Sequence, residues 1–459
     1  MCWEIKCLSC LARHENNRRP ESRKQNAGSQ AEIQIEIQAE KAKQKARQKV
    51  KQKKSGRRRT MRIALMTNNY KPVVGGVPIS IERLKRGLEA CGHHVTVFAP
   101  SYEEQEQEEN VFRYATFLKK FIGGIVLPNP FDFRMIQEFK NQKFDVIHVH
   151  HPMLIGRTAV YLSKKYNIPL VFTYHTRYEK YVECYTRGIA RPTRVMPVYL
   201  HTFLKHCDFI FAPTAGIRDY LVKDCKVPAH RLGILPTGIE EKNYRVTEAE
   251  KYRIREQYGC NAHGGEEIPF LLTVSRLAQE KNVTFLLESL ALFKSRYSRP
   301  FRMIIVGDGP DRNAYERLCR ELGLADEVVF TGMLPNEETA AYFAAADAFC
   351  FASKTETQGI VVLEAFAGGT PVLALRASGV EDLVDTGVNG ILTAEDRNLY
   401  ADMLLDFCEG RLDKVRLSKN AYASGLQYRE ETVAQEAVRV YNEVVSAKST
   451  KSAKQAFSY

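Results

Sequence analysis

Ser353-Lys-Thr-Glu-Thr-Gln-Gly-Ile-Val-Val-Leu-Glu-Ala-Phe-Ala-Gly-Gly-Thr-Pro371 lies between two apolar runs, Ala348–Ala352 and Val372–Leu375. The flanking runs are too short for helices and rich in strand formers. The segment therefore reads as strand, polar loop, helix, strand, one βαβ unit of a parallel sheet. Its loop then lies at the carboxyl edge of that sheet, where open α/β sheets take their ligands. A helix starting at Gly359 or Ile360 turns its free N–H groups and positive dipole end into the same crevice, which favours a phosphate or pyrophosphate. Glu356 falls in the loop and Glu364 about one turn into the helix, both toward that crevice. Two carboxylates at this spacing suit a ligand that carries hydroxyls as well as a diphosphate. A capped surface helix with an incidental Glu has the same spacing, so the rest of the chain has to discriminate.

Strands recur on both sides of this unit. Ile63–Met66, Val95–Phe98, Asp145–Val149, Leu170–Thr173, Phe209–Ala212 and Gly233–Leu235 form one series, with helical patterns between them. Phe270–Val274, Met303–Val306, Val328–Phe330, Ala348–Ala352 and Val372–Leu375 form a second. Such alternation predicts an α/β chain with two Rossmann-like, doubly wound parallel-sheet domains in tandem, facing a cleft. The charged, Gly-containing stretch Glu240–Glu267 is the expected linker. The expected divisions are a basic extension over 1–60, a first domain over 61–240, a second over 241–425, and a helix over 426–459 that returns to the first domain. Met61 opens the first strand and is the expected functional start.

The chain has 459 residues, 44% of them hydrophobic, enough for two cores. Its apolar stretches end in charge after a few residues, so no membrane-spanning helix is expected. The formal charge is +13. Residues 1–60 hold 17 Lys and Arg against 6 acidic residues, a net of +11, which leaves only +2 for the remainder. The Lys/Arg/Gln run from Lys41 to Arg59 has no apolar face to bury, so it reads as a solvated or disordered tail. A nucleic-acid-binding protein would have to rest on that run alone, and no nucleic acid is expected as a partner. Eleven irregularly spaced cysteines without a signal peptide point to reduced thiols in the cytoplasm. Cys7-x-x-Cys10 has no partner motif to complete a metal site.

The loops at the carboxyl ends of the strands carry the chemistry. Thr67-Asn-Asn-Tyr-Lys-Pro-Val-Val-Gly-Gly76 lacks the G-x-G-x-x-G of a dinucleotide site, which argues against a dehydrogenase. Its Gly75-Gly76 pair allows close approach at a second helix N-terminus. His148-Val-His150-His151 and Tyr174-His175 end neighbouring strands. Alternation sends His148 and His150 to one face and His151 to the other, which suits supporting or core histidines better than metal ligands. His175 lies past its strand, where it can touch substrate. Arg276 and Lys281 follow the first strand of the second series and can neutralise a departing diphosphate. Gly307-Asp-Gly-Pro310 and Gly332-Met333-Leu-Pro335 end the next two strands. No visible motif calls for a divalent metal or a tightly bound cofactor.

Gly75-Gly76, Arg276 with Lys281, Gly307-Asp-Gly-Pro310 and Glu356 with Glu364, in that order at strand ends, resemble the retaining glycosyltransferases of the GT-B fold, family 4, over essentially Met61 to the C-terminus. Within that family, His150-His151-Pro152, Tyr174-His175-Thr176-x-Tyr178-Glu179 and Thr355-Glu-Thr-Gln-Gly359 are similar to the bacterial diacylglycerol glucosyltransferases. The resemblance implies a nucleotide-sugar donor, UDP-glucose, with Arg276 and Lys281 on its diphosphate, Glu364 on the ribose and Glu356 on the transferred sugar. Gly76, Gly307, Gly332, Met333, Gly359 and Ile360 would line the donor pocket, and His175 would lie at the reaction centre. The extension before Met61 departs from the family's pattern.

A lipid acceptor would meet the first domain. Tyr178, Tyr181 and Tyr185 interleave with Arg187, Arg191 and Arg194, a composition suited to anionic headgroups, and Phe117–Ile122 is a second short candidate. Amphipathic helices packed on the sheet would have the same composition. The expectation is a peripheral enzyme on the inner face of the cell membrane that transfers a hexose to diacylglycerol. Phosphatidylinositol, a sulfolipid or a soluble acceptor is the alternative.

Overall fold

The structure is a computed structural model. It describes residues 60–459 apart from 74, 119–125, 130, 178–191, 262–266 and 457–459, and leaves out the side chains of 192–195, 336, 337 and 451–456. The first series of strands comprises β1 (Arg62–Met66), β2 (His94–Pro100), β3 (Val111–Tyr114), β6 (Val146–Val149), β7 (Leu170–Thr173), β8 (Phe209–Ala212) and β9 (Leu232–Ile234). They form a seven-stranded sheet in the order β3-β2-β1-β6-β7-β8-β9. A short antiparallel ribbon, β4 (Thr116–Leu118) with β5 (Leu127–Pro128), stands beside it. The second sheet holds β10 (Phe270–Val274), β11 (Arg302–Val306), β12 (Val328–Gly332), β13 (Ala348–Phe351), β14 (Val372–Leu375) and β15 (Gly390–Thr393), in the order β12-β11-β10-β13-β14-β15.

Every ladder within the two large sheets is parallel. Parallel strands need crossover connections, and their helices cover both faces. This is why β6, β7, β13 and β14 are buried along their whole length, and why β13 and β14 read as unbroken apolar runs. Strand order reverses beside β1 in one sheet and beside β10 in the other, so each sheet opens a crevice at its carboxyl edge there. The loops after β1, β10 and β13 lie at those two switch points.

The last helix, Glu430–Ala456, belongs to the first sheet's core. Val433, Ala434, Ala437, Val440 and Tyr441 pack with Ile63, Leu65, Ile81, Leu88 and Phe211. Gly87 on the helix Gly76–Ala90 makes the crossing close, because a Cβ there would stand 2.8 Å from both Ala434 Cβ and the Glu430 carbonyl oxygen.

Four elements differ most from the sequence reading. The edge strands β3 and β15 go unread because each is short and only partly buried, so neither has a full apolar run. The last strand of the first series runs Leu232–Ile234, one residue earlier than expected. The stretch Glu240–Glu267 is more than a linker. It contains the helix Glu248–Gln257, started by a Thr247–Glu250 capping box and packed against the helix Asn336–Ala345 through Ile254 and its neighbours.

Candidate active site

The helix after β13 runs Ile360–Gly368, with Gly359 as its N-cap at φ 63°. A Cβ on Gly76 would stand 3.5 Å from Ile360 Cδ1. The first turn of the helix Gly76–Ala90 therefore meets the first turn of Ile360–Gly368 across the cleft. Two positive dipole ends, one from each domain, converge on one place, an arrangement that suits a group of high negative charge.

The loop before Ile360 is held on both sides of the cleft. Glu356 Oε1 accepts from Lys281 Nζ at 2.6 Å and from Ser353 Oγ at 2.9 Å. Thr357 Oγ1 donates to the His175 carbonyl oxygen at 2.7 Å, and the buried Gln358 Oε1 accepts from Thr237 N at 2.9 Å. Asp382, one turn beyond Gly379, accepts from Gly216 N at 3.0 Å, at the start of the first domain's helix Ala215–Lys223. Gly379 itself has φ +76°, and a Cβ on it would lie 2.5 Å from the Glu356 carbonyl oxygen. The structure thus brings Lys281, Glu356 and the His175 backbone around one loop.

His175 is the end of a row of three imidazoles. Its Nε2 lies 2.8 Å from His150 Nδ1, and the two rings meet edge to edge, centroids 5.1 Å apart with their planes 25° from parallel. His150 stacks in turn on His148 at 4.4 Å. Both His148 nitrogens are satisfied, Nδ1 by Tyr441 Oη at 2.6 Å and Nε2 by Thr173 Oγ1 at 2.7 Å. Burial pushes the His148 and His175 imidazoles down to about 3 and holds His150 well below its ordinary value, so all three are neutral near pH 7. His151 points the other way, with Nδ1 3.2 Å from Asn68 N and 3.2 Å from Thr67 Oγ1, and steadies the loop after β1.

On the far side of the second sheet's crevice, Gly307 N donates to the Gly332 carbonyl oxygen at 2.8 Å, which joins two of the expected strand-end turns. Met333 beside them is an exposed apolar side chain. Arg276 is exposed on the loop after β10 and paired with Glu280. Glu364 does not share a partner with Glu356. Its carboxylate accepts from Arg83 Nη2 at 2.6 Å, and Arg83 is buried on the first domain's helix. Arg83 also reaches Glu240 at 3.5 Å, while Arg86 pairs with Glu240 at 3.0 Å and Glu430 at 2.7 Å. Burial works against the Glu240 charge, yet Arg86 and Arg83 more than offset it and leave the carboxyl below its ordinary range. At Glu430 burial wins over Arg86, and the carboxyl sits above it. Sequence reading missed Arg83, because a lone Arg inside an amphipathic helical pattern carries no signal of its own. It also missed Thr357 and Gln358 as cross-domain contacts.

Tyr178, Tyr181, Tyr185, Arg187 and Arg191 lie outside the described residues, as does the side chain of Arg194. Among the described residues no group of three or more His, Cys, Asp or Glu side chains is placed to hold a metal ion, and no helix is long and apolar enough to cross a membrane.

Two parallel Rossmann-like sheets with this cleft define a GT-B glycosyltransferase. A solved structure of Anabaena Alr3699/HepE in complex with UDP has the same fold, with a TM-score of 0.66 at 19% identity, covering 83% of this chain and 100% of that one. Residues 74–243 match the model of Glycosyltransferase Family 4, and residues 262–424 that of Glycosyl transferases group 1. The alpha-monoglucosyldiacylglycerol synthase of Streptococcus pneumoniae is 31% identical over 353 residues, covering 75% of this chain and 78% of the relative. That of Acholeplasma laidlawii is 28% identical over 403 residues, covering 85% and 99%. The chain belongs to the family 4 glycosyltransferases and is a hexosyltransferase.

Proposed function

We propose that this chain moves glucose, with retention, from UDP-glucose to diacylglycerol at the cytoplasmic surface of a membrane. The observation that carries the reading is the convergence of the two helix ends at Gly76 and Ile360 beside the Lys281–Glu356 pair and the His175 loop. Departure of a nucleoside diphosphate builds negative charge on phosphate and oxocarbenium character on the sugar. The helix ends, Lys281 and Arg276 stabilise the phosphate charge. Glu356, anchored by Lys281 and Ser353, takes hydroxyls of the transferred sugar, and Glu364 takes those of the ribose. Gly307, Gly332, Gly359 and Met333 line the nucleotide side.

The acceptor hydroxyl attacks from the leaving-group side, and the departing phosphate takes its proton. No nucleophile is then required on the opposite sugar face. Because side-chain cations and helix ends neutralise the diphosphate, transfer needs no divalent metal on this reading, and EDTA should leave the rate unchanged. The glucose and diacylglycerol assignments are supported by the names of the two synthases, and the uridine by the UDP complex of Alr3699/HepE.

Lipid access is supported by four exposed apolar side chains on the first domain, Phe117 at 60%, Leu118 at 46%, Phe131 at 80% and Phe133 at 73% exposure. They offer apolar contact of the kind a lipid surface takes, in addition to the composition of the Tyr178, Tyr181, Tyr185, Arg187, Arg191 and Arg194 segment. A panel of nucleotide sugars against acceptors tests the assignment, with diacylglycerol, phosphatidylinositol and sulfolipid precursors in anionic vesicles and free sugars in solution. Transfer from UDP-glucose to diacylglycerol above all other pairs is expected. Faster transfer to a soluble sugar or another lipid overturns the acceptor, and faster transfer from another nucleotide sugar overturns the donor.

A further inference from the structure

We propose that His150 is a positioning residue that fixes the tautomer of His175, and that Tyr441 on the C-terminal helix steadies it through His148, so that a neutral His175 offers Nδ1–H to the reacting sugars. This rests on the reading of His175 as a residue of the reaction centre.

A neutral imidazole carries one N–H, so the bond between His150 Nδ1 and His175 Nε2, 2.8 Å long, has one donor and sets the role of both outer nitrogens. If His175 Nε2 donated, His150 would carry its own proton on Nε2. That nitrogen is buried without a hydrogen-bond partner among the described residues. A buried N–H with no acceptor is rarer than a buried acceptor with no donor, because the whole desolvation cost of the donor goes uncompensated. The opposite arrangement leaves only a lone pair at His150 Nε2. There His150 Nδ1–H donates to His175 Nε2, and the His175 proton sits on Nδ1. His148 holds the His150 ring in the plane this bond needs. It stacks on it at 4.4 Å and cannot turn without breaking its bonds to Tyr441 and Thr173.

Two-bond proton–nitrogen correlation spectra of the full-length chain labelled with nitrogen-15 histidine read the tautomer directly, with His175 assigned by its loss in His175→Gln. The Nδ1–H form is expected for the wild type. His150→Leu should give a mixture of tautomers. His150→Asn, whose amide N–H falls near the place of Nδ1, should return the Nδ1–H form. With UDP-glucose and diacylglycerol vesicles, kcat should fall about 30-fold in His150→Leu with donor KM within about twofold, and recover to within about threefold in His150→Asn. Tyr441→Phe should lower kcat about threefold. An Nε2–H tautomer in the wild type overturns the proposal, as does a wild-type tautomer in His150→Leu. Should His150→Leu show no cooperative melting, the spectra of His150→Asn and Tyr441→Phe decide, and an Nε2–H form in either overturns the proposal. The spectra need no substrate. A chain with the expected tautomer that glucosylates no acceptor upholds the positioning role and overturns the functional reading.

Discussion

At the scale of single residues, the two acidic positions of the E-x7-E pattern have different surroundings, and the difference can be measured. Glu356 is bound to Lys281, Glu364 to Arg83. Phosphate charge grows toward the transition state, so Lys281→Ala should slow turnover by about 10²-fold and weaken donor binding far less. Equal effects on kcat and on affinity would make Lys281 a ground-state contact. Glu364→Ala should weaken nucleotide binding by about 2 kcal/mol, two hydrogen bonds to a carboxylate. Calorimetric titration with an unchanged affinity would leave Glu364 as an interface residue that serves Arg83 alone. The buried imidazoles add a pH dependence. His148 and His150 have folded values far below 6.5, so the unfolded chain binds protons first as pH falls. Their contribution to stability is full above about pH 6.5 and is lost as pH falls below it, for His148 down to about pH 3, at roughly 1.4 kcal/mol per pH unit for each. Denaturant midpoints that hold constant from pH 7 to 5 would contradict this.

At the scale of elements, the loop from Ser353 to Gln358 does more than the sequence reveals. Its acidic residue and its position at a helix N-terminus follow from the alternation of apolar runs and from Gly359. Its attachment to Thr237 and the His175 carbonyl depends on chain segments more than 100 positions away and leaves no local trace. Gly379 shows how tightly the loop is seated. Ala at that position would have to adopt a left-handed backbone and would meet the Glu356 carbonyl oxygen, so the loop must shift. Gly379→Ala should cut turnover about tenfold and lower stability by about 1 kcal/mol. Wild-type turnover in a variant with a lowered melting temperature would show that the loop's seating does not matter to the chemistry. The histidines divide the same way. Strand alternation gives the shared face of His148 and His150, whereas the link to Tyr441 needs the last helix folded back on the first sheet.

At the scale of the whole molecule, a headgroup must reach the cleft while the acyl chains stay in the bilayer. The first domain therefore needs a basic and aromatic rim. Each Arg near an anionic surface is worth about 1 kcal/mol, so replacing Arg187, Arg191 and Arg194 by Ala should cut vesicle binding by roughly two orders of magnitude at low salt. Nucleotide affinity should stay unchanged, since none of the three Arg is among the donor-binding residues. The comparison is made by sedimentation with both chains lacking residues 1–60, whose net charge of +11 would mask the effect. Equal binding would move the membrane contact to Phe117, Leu118, Phe131 and Phe133.

The two parallel sheets apart from the edge strands β3 and β15, and the loops at their switch points, are legible in the sequence, because fully buried parallel strands read as short apolar runs and the loops between them concentrate Gly, Glu, Arg, Lys and His. Only the tertiary structure decided which side chains pair. Arg83 on Glu364 joins the two sheets, whereas Lys281 on Glu356 and His150 on His175 join the ends of neighbouring strands within one sheet, and these pairings leave no local trace because they depend on strand order and on how the sheets pack rather than on any period within one segment.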